Sequence, residues 1–395
     1  MKYTFIVNLD PLARKGLFIS SHNRIKLFRE NHKSIEVYNL NFYDGKVLGF
    51  FKKINKLKII KPIKGFELEG VYYQELNIRR GIFSFCAERL NKHYHLCFFY
   101  ALSVKRKFKN ADLICAHWGH YPGLLSLWLK KILGIRNVVT YHGSDIHTHP
   151  VNNSGMKTAV QKVLAQSDGN VFVSNDLYIQ ALKLGMVTNP KIIRNGIDIE
   201  IYKRISEMAI DSIKKENNLK GKIIGFVGNL VEVKNAQLLP AIFKEITCQL
   251  NEICSFLIVG DGELRKQIEK ETTDLMLNTF FTGDIPSKEV GNYMSCMDLM
   301  ILPSKHEGYP LVLTEALSCG CSCIGSRTGG IPEIIGFENT VDINVNEEFF
   351  IIDLAVLAVR KLKDPHYLSR AAPTSEFSLW EDVFLQEIEF YNSIV

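Results

Sequence analysis

Two carboxylates define the stretch whose spacing is chemically most specific. Glu307 and Glu315 stand eight residues apart in PSKHEGYPLVLTEALSCG, residues 303–320, on either side of a Gly308-Tyr309-Pro310 turn and an apolar run. Leu299 to Leu302 reads as a buried strand before them, and Leu311 to Ser318 as a helix, with Pro310 compatible with its first turn. One carboxylate therefore precedes a helix N-terminus and the other lies about a turn inside it. Eight helical residues span roughly 12 Å, a length that suits a long polar ligand better than a single reacting bond. Backbone N–H groups near Tyr309 and Leu311 would face an anion placed between the carboxylates. A sugar nucleotide, two hydroxyl-rich groups joined by a diphosphate, would fit. On spacing alone the plainer reading stands beside it: a solvated loop glutamate and a helix-surface glutamate.

These residues need a scaffold, and length and pattern bound it. The 395 residues are long for one core, so two domains are expected. Hydrophobic (46%) and charged (23%) contents are those of an ordinary soluble globular chain. Nine cysteines, an odd number without a C-x-x-C pair, argue against a disulfide framework and for a reducing compartment. The alternating Cys319, Cys321 and Cys323 could bind a soft metal or be small buried residues; no His or further Cys pair accompanies them, and no metal is expected. The N-terminal MKYTFIVNLD reads as a first strand rather than a signal peptide, and no run of 18 apolar residues suggests a spanning helix.

Strand and helix patterns alternate along the chain. A first set comprises strands at Tyr3–Val7, Ser34–Leu40, Asp112–Ala116, Asn137–Tyr141, Asn170–Val173 and Lys191–Ile193, with helices at Ser20–Glu30, Leu90–Lys107 and Gly123–Leu133. A second set begins at Ile223–Val227 and runs through strands Ser255–Val259, Thr279–Thr282, Leu299–Leu302 and Ser322–Gly325. The pattern predicts an α/β chain of two doubly wound, Rossmann-like domains facing across a cleft, with ligands at the carboxyl ends of the strands. The expected divisions are residues 1–197, 198–375 and a final segment, 376–395, after a break at Pro373.

Several ordered motifs then accumulate: Gly228-x5-Lys234, Gly260-Asp261-Gly262, Phe281-Thr282-Gly283, the Glu307…Glu315 element and Gly329-Gly330-x-Pro332-Glu333, with Tyr141-His142-Gly143-Ser144-Asp145 and Asn195-Gly196-Ile197-Asp198 upstream. Over roughly residues 115–335 this series resembles the retaining GT-B glycosyltransferases of family 4. The resemblance implies an N-terminal acceptor domain, a C-terminal nucleotide-sugar domain and a last helix that packs back on the first. It implies that Glu315 binds the ribose diol, Glu307 addresses the donor sugar, and Lys234 holds the diphosphate and stabilises its departure. Gly228, Gly308, Tyr309, Pro310 and Leu311 would complete the donor site. Many relatives carry Arg where this chain has Asn229, so either Arg265 or another basic residue supplies the missing cation or donor binding is weaker. Asp261 reads either as a helix cap or as part of that site.

On the acceptor side the resemblance implies His142 near the transferred sugar, with Lys234 and Glu307 the other catalytic candidates, and Gly16 in a first loop, with Arg14 and Lys15, that closes over the ligands. His117 and Trp118 follow a strand and could border an acceptor sugar, with core packing the alternative for Trp118; Asp145 could bind there or cap a helix. The family needs no cofactor and no metal at the clustered histidines. Its group transfers with retention on one face, the leaving diphosphate helping to deprotonate the acceptor. The two motif glutamates are too far apart for paired-carboxylate chemistry, which needs about 5–9 Å. The implied donor is a nucleotide sugar, by family habit UDP-linked, and the implied acceptor a saccharide, often on polyprenyl diphosphate, in surface-polysaccharide assembly (O-antigen, capsule or similar). A non-catalytic relative in an assembly complex and a GT-B nucleotide-sugar epimerase are the alternatives.

Charge divides unevenly. Residues 1–200 hold 30 Lys+Arg against 14 Asp+Glu, and the remainder 18 against 28. Lys46 to Lys64 carries seven lysines and no acid among apolar residues, and Lys105 to Lys109 adds four basic groups. This basic half suits an anionic membrane surface, the inner face of the cytoplasmic membrane for a cytoplasmic enzyme, or is an ordinary solvated segment. The acidic second half argues against nucleic acid as a partner.

Overall fold

In the computed structural model, residues 1–10, 16–32, 34–364 and 378–395 are described. Arg14, Lys15 and Pro373 lie outside them. The chain divides into two compact units, Met1–Asn195 with Trp380–Val395, and Gly196–Leu379.

The first unit is built on one sheet: β1 (Tyr3–Val7), β2 (Ile35–Asp44), β3 (Phe66–Leu68), β4 (Val71–Arg80), β5 (Leu113–His117), β6 (Arg136–Tyr141), β7 (Gly169–Phe172) and β8 (Pro190–Ile192). Their order is β3-β4-β2-β1-β5-β6-β7-β8, parallel except for the β3–β4 hairpin. β1 and β5 are buried along their whole lengths, as strands covered on both faces must be. The order reverses between β1 and β5, so the loops after them diverge and leave room for a ligand.

Four helices of this unit matter below: α1 (Leu17–Asn31), α2 (Lys46–Ile54), α3 (Ile82–Arg89) and α4 (His93–Val104). The sequence reading joined α4 to its neighbours as Leu90–Lys107; instead the helix starts at His93 and tightens into a 3-10 turn at Lys105–Phe108. The last helix, Trp380–Ile394, lies over α1. There Arg24 and Glu387 form an ion pair with both side chains almost fully buried, and Arg24 also donates to Asn195 Oδ1 at 3.0 Å and to the Ile193 carbonyl at 2.9 Å.

The second unit has β9 (Lys222–Val227), β10 (Cys254–Val259), β11 (Thr279–Gly283), β12 (Leu299–Leu302), β13 (Ser322–Ser326) and β14 (Thr340–Val341) in one parallel sheet. The order is β11-β10-β9-β12-β13-β14, reversing between β9 and β12. Cys319, Cys321 and Cys323 are fully buried in its core. Ahead of β9 in the chain lies the Glu207–Glu216 helix, capped by Ser206.

Candidate functional site

The reversal between β9 and β12 brings two loops together. The loop after β9 carries Gly228, Asn229 and Lys234, and the loop after β12 carries Ser304 and Glu307. Main-chain bonds stitch them: Lys305 N donates to Val233 O at 2.9 Å, and the buried Asn235 side chain donates to Pro303 O at 2.9 Å. Asn235 takes a left-handed conformation (φ 51°), which Asn tolerates better than most residues. Lys234 Nζ thereby reaches Glu307 Oε1 as an ion pair, with side chains 24% and 10% exposed. Ser304 Oγ donates to the same oxygen at 2.7 Å.

The glycine motifs press backbone against these loops. A Cβ on Gly329 (φ +54°) would stand 1.8 Å from the Glu307 carbonyl oxygen, and Gly330 N donates to Gly308 O at 3.1 Å. A Cβ on Gly260 (φ +127°) would meet Gly228 O at 2.1 Å. The glycines permit close approach; their substitution would displace the residues that carry charge.

Glu315 sits on the Leu311–Ser318 helix, whose N-cap is Pro310. It is half-buried, and loss of water around the carboxyl pushes it up to about 7, opposed by a hydrogen bond from Tyr202. Ser318 Oγ holds Tyr202 by its carbonyl at 2.6 Å. Tyr202, Asn235 and Ser304 were not among the sequence candidates. Asn235 had one signal, its place directly after Lys234; Tyr202 had none.

Arg265 turns elsewhere. Its guanidinium donates to Asp261 Oδ2 at 3.0 Å and Glu269 Oε1 at 2.7 Å, so two acids flank the cation proposed to offset Asn229. Asp261 does not cap the Arg265–Asp274 helix; Leu264 occupies the cap position, and Asp261 Oδ1 accepts from Gly262 N at 2.7 Å.

The first unit's reversal gathers a different set. His117 ends β5 and His142 follows β6. Their rings stack at 5.3 Å, with His117 Nδ1 3.1 Å from His142 Nε2. Ser20 Oγ of α1 lies 3.3 Å from His142 Nδ1, so both ring nitrogens of His142 have protein partners. Burial and the nearby Arg24 hold His117 neutral, down to about 3. Burial, His117 and Arg24 hold His142 well below the usual range.

Asp145 is wholly buried; its carboxylate accepts from Gly119 N at 2.9 Å, Gly143 N at 2.9 Å and His142 N at 3.2 Å. Burial raises it to about 6 against those bonds. It ties the loop after β5 to the loop after β6, and so positions His142 from behind. Trp118 has φ 92°, strained for a bulky residue, and its buried indole N–H has no hydrogen-bond partner among the described residues. Its ring meets His149 edge-on at 5.4 Å. Gly16 is the exposed N-cap of α1, with φ +40°.

Comparison with known proteins identifies the family. The model for glycosyl transferases group 1 matches residues 208–348, and that for glycosyltransferase family 4 matches residues 65–201. The chain is a family 4 glycosyltransferase with the GT-B fold. The transferase is 27% identical over 285 residues to N-acetyl-alpha-D-glucosaminyl L-malate synthase of Bacillus anthracis, covering 69% of this chain and 70% of that protein. It is 26% identical over 249 residues to an amylovoran biosynthesis glycosyltransferase of Erwinia amylovora, and spans 58% of that relative's length. Among solved structures, Anabaena HepE in complex with UDP superposes with a TM-score of 0.73 at 16% identity, covering 100% of each chain. Sucrose-phosphate synthase of Thermosynechococcus elongatus also gives 0.73, at 17% identity over 100% of this chain and 99% of that one.

Two features of the transferase follow from its charges. Lys234 and Glu307 form a partly exposed ion pair, a cation and a carboxylate that each retain capacity for a further hydrogen-bond partner. The histidine set of the first unit offers neutral hydrogen-bonding groups and no charge. Among the described residues no group of three or more His, Cys, Asp or Glu has metal-binding geometry.

Proposed function

We propose that this transferase moves a hexosyl or related sugar, with retention, from a UDP-sugar to a saccharide carried on polyprenyl diphosphate during assembly of a bacterial surface polysaccharide. The observation that carries the reading is the Lys234–Glu307 pair at the strand-order reversal, with Glu315 on the adjoining helix. On donor binding Lys234 leaves Glu307 for the diphosphate, and its positive charge stabilises the leaving nucleotide. Glu307, released and still held by Ser304, accepts from the sugar hydroxyls. Glu315 accepts from the ribose diol, which requires its carboxylate form. The departing diphosphate takes the acceptor proton, and no metal is needed. The amylovoran relative supports a polysaccharide role, and the UDP complex of HepE a uridine donor.

The basic first half would hold the enzyme on the anionic inner face of the cytoplasmic membrane, where such acceptors reside. Among the described residues no helix is long and apolar enough to cross a membrane. A second reading, a small soluble hydroxy acid as acceptor, is favoured by the malate named in the Bacillus anthracis relative.

The test is nucleotide release from a panel of uridine and guanosine sugars, with polyprenyl-diphosphate saccharide, with L-malate, or with neither, and with and without chelator. Release that requires the lipid-linked saccharide and survives chelation supports the reading. Release driven by malate favours the second. Turnover with no uridine or guanosine sugar would sink the donor assignment, and isomerised donor without acceptor would mark an epimerase.

A further inference from the structure

A surface of the first unit has an apolar face that glycosyl transfer does not use. In α2, Val47, Phe50, Phe51 and Ile54 stand at i, i+3, i+4 and i+7, the stripe that a surface helix ordinarily turns toward a core. Here the stripe points outward: Phe50 is 68% exposed and Ile54 65%. The inward side carries Leu48 and a buried cation, Lys52.

The inversion is fixed by a buried ion network. Lys52 Nζ donates to Asp44 Oδ2 at 2.8 Å, and the fully buried Asp44 carboxylate also accepts from Arg80 at 2.9 Å and from Ile60 N at 2.7 Å. Arg80 in turn binds Glu88 of α3 at 2.8 Å. Rolling the apolar stripe inward would pull Lys52 away and remove one of the two cations that balance the buried Asp44 carboxylate, so the fold holds α2 with its apolar side out.

α3 and α4 extend the face. Phe83 is 71% exposed and Phe99 55%, their rings 6.5 Å apart, while Phe51 of α2 meets Phe85 of α3 at 6.1 Å. Around this ridge the chain from Lys46 to Lys64 has no acid, and Lys46, Lys53, Lys56 and Lys58 are exposed. A second copy is a poor occupant, because a two-fold contact would set this lysine-rich patch against itself. An anionic bilayer matches both parts: acyl chains for the aromatic and aliphatic groups, and phosphates for lysines whose stems can bend outward.

We propose that the tip formed by α2, α3 and α4 is a membrane-insertion element, in which Phe50, Ile54, Phe83 and Phe99 enter the headgroup–acyl boundary and the surrounding lysines pair with anionic lipid. This rests on the peripheral attachment proposed above and changes its nature from adsorption by charge to adsorption by charge followed by insertion.

The test is co-sedimentation with phosphatidylglycerol-containing and pure phosphatidylcholine vesicles at about 0.1 M and about 1 M salt, where the screening length falls from roughly 10 to 3 Å. The wild-type chain is expected to bind the anionic vesicles and to remain partly bound at high salt. Phe50→Ser combined with Phe83→Ser is expected to lower partitioning at least tenfold and to abolish the salt-resistant fraction, with an unchanged thermal midpoint and unchanged transfer to a water-soluble acceptor without vesicles. Independently, Phe83→Trp should show blue-shifted emission quenched by brominated lipid. Complete release of the wild-type chain at high salt, or undiminished binding of the double variant, overturns insertion while leaving charge-driven attachment. No binding to anionic vesicles at low salt overturns both. A concentration-dependent dimer lost in the double variant assigns the face to a second copy and overturns the proposal. Vesicle binding needs no sugar nucleotide, so failure of the transfer reading would be seen separately.

Discussion

The strand-order reversals of the two units share one topology and differ in what fills them. At β9/β12 the loops carry opposed charges, Lys234 and Glu307, partly open to solvent. Beside β1/β5, His117 at the end of β5 stacks on His142 after β6; both are neutral, they hydrogen-bond to each other, and His142 also meets Ser20. The topology provides a place where loops part, and side-chain chemistry decides the ligand. Opposed charges can exchange partners with an anion, whereas desolvated imidazoles can accept or donate to a hydroxyl without changing charge.

The largest expected effect tests the charged side. Lys234→Met should lower kcat for nucleotide release about 10²–10³-fold, the scale for losing one stabilising donor; a near-normal steady-state rate would show that Lys234 does not meet the diphosphate. Glu315→Gln comes next, with donor KM rising roughly ten- to a hundredfold, the weight of hydrogen bonds to a charged group. Glu315 has its pKa raised to about 7, so it becomes protonated as pH falls through that value and loses an acceptor. Wild-type donor KM should therefore climb below about pH 7, and the Gln variant should flatten that limb. The histidine site should add nothing to it, since His117 is held neutral down to about 3 and His142 well below its ordinary value.

Smaller effects sharpen the neutral side. Asp145→Asn offers one acceptor oxygen where the carboxylate serves three main-chain N–H groups, and should cost about 1–3 kcal/mol in urea or thermal unfolding, with donor KM unchanged. A changed KM and an unchanged midpoint would make Asp145 a ligand contact. Ser20→Ala removes a 3.3 Å bond to His142 and should reduce turnover only about two- to tenfold, read as kcat at saturating donor. A loss as large as that of Lys234→Met would erase the distinction between the two sites.

The sequence carried the second unit well. Its strands are short apolar runs at regular spacing, and the Leu311–Ser318 helix begins and ends where expected from Pro310 and the apolar run. The candidate residues on its loops stood out by type and order, and the structure places Lys234 and Glu307 together. Their pairing was not legible: nothing in spacing 234 to 307 says that the two charges touch, because the register of β9 against β12 decides it. Between residues 45 and 90 the reading was poorest. β4, a ten-residue strand ending in Arg79 and Arg80, alternates too unevenly to stand out: its buried residues shift from Val71 and Tyr73 on one face to Leu76 and Ile78 on the other, and it packs against α1, α3 and α4. The lysine-rich stretch was read by its charge and not as the helix α2, and which way its apolar stripe faces depends on Asp44, Lys52 and Arg80 meeting in three dimensions. Arg265 and Asp261 were sound candidates by position and were claimed by each other through an i, i+4 pairing.

The ion pair between Arg24 and Glu387 has a consequence for synthesis. The second unit is one continuous stretch, Gly196–Leu379, whereas the first is assembled from both ends of the chain. Its final helix packs Ile394 and Phe390 so closely over Gly169 that a Cβ there would stand 2.4 Å from Ile394, and Tyr391 stacks on Phe28 at 5.4 Å. On the ribosome, Arg24 emerges long before its carboxylate partner, and a buried cation without it costs roughly 3–5 kcal/mol. The half that is translated first should therefore be the half that matures last. A chain stopped at Leu379 should yield a protease-resistant second unit and a protease-sensitive first one; equal resistance of both would show that the first unit does not wait.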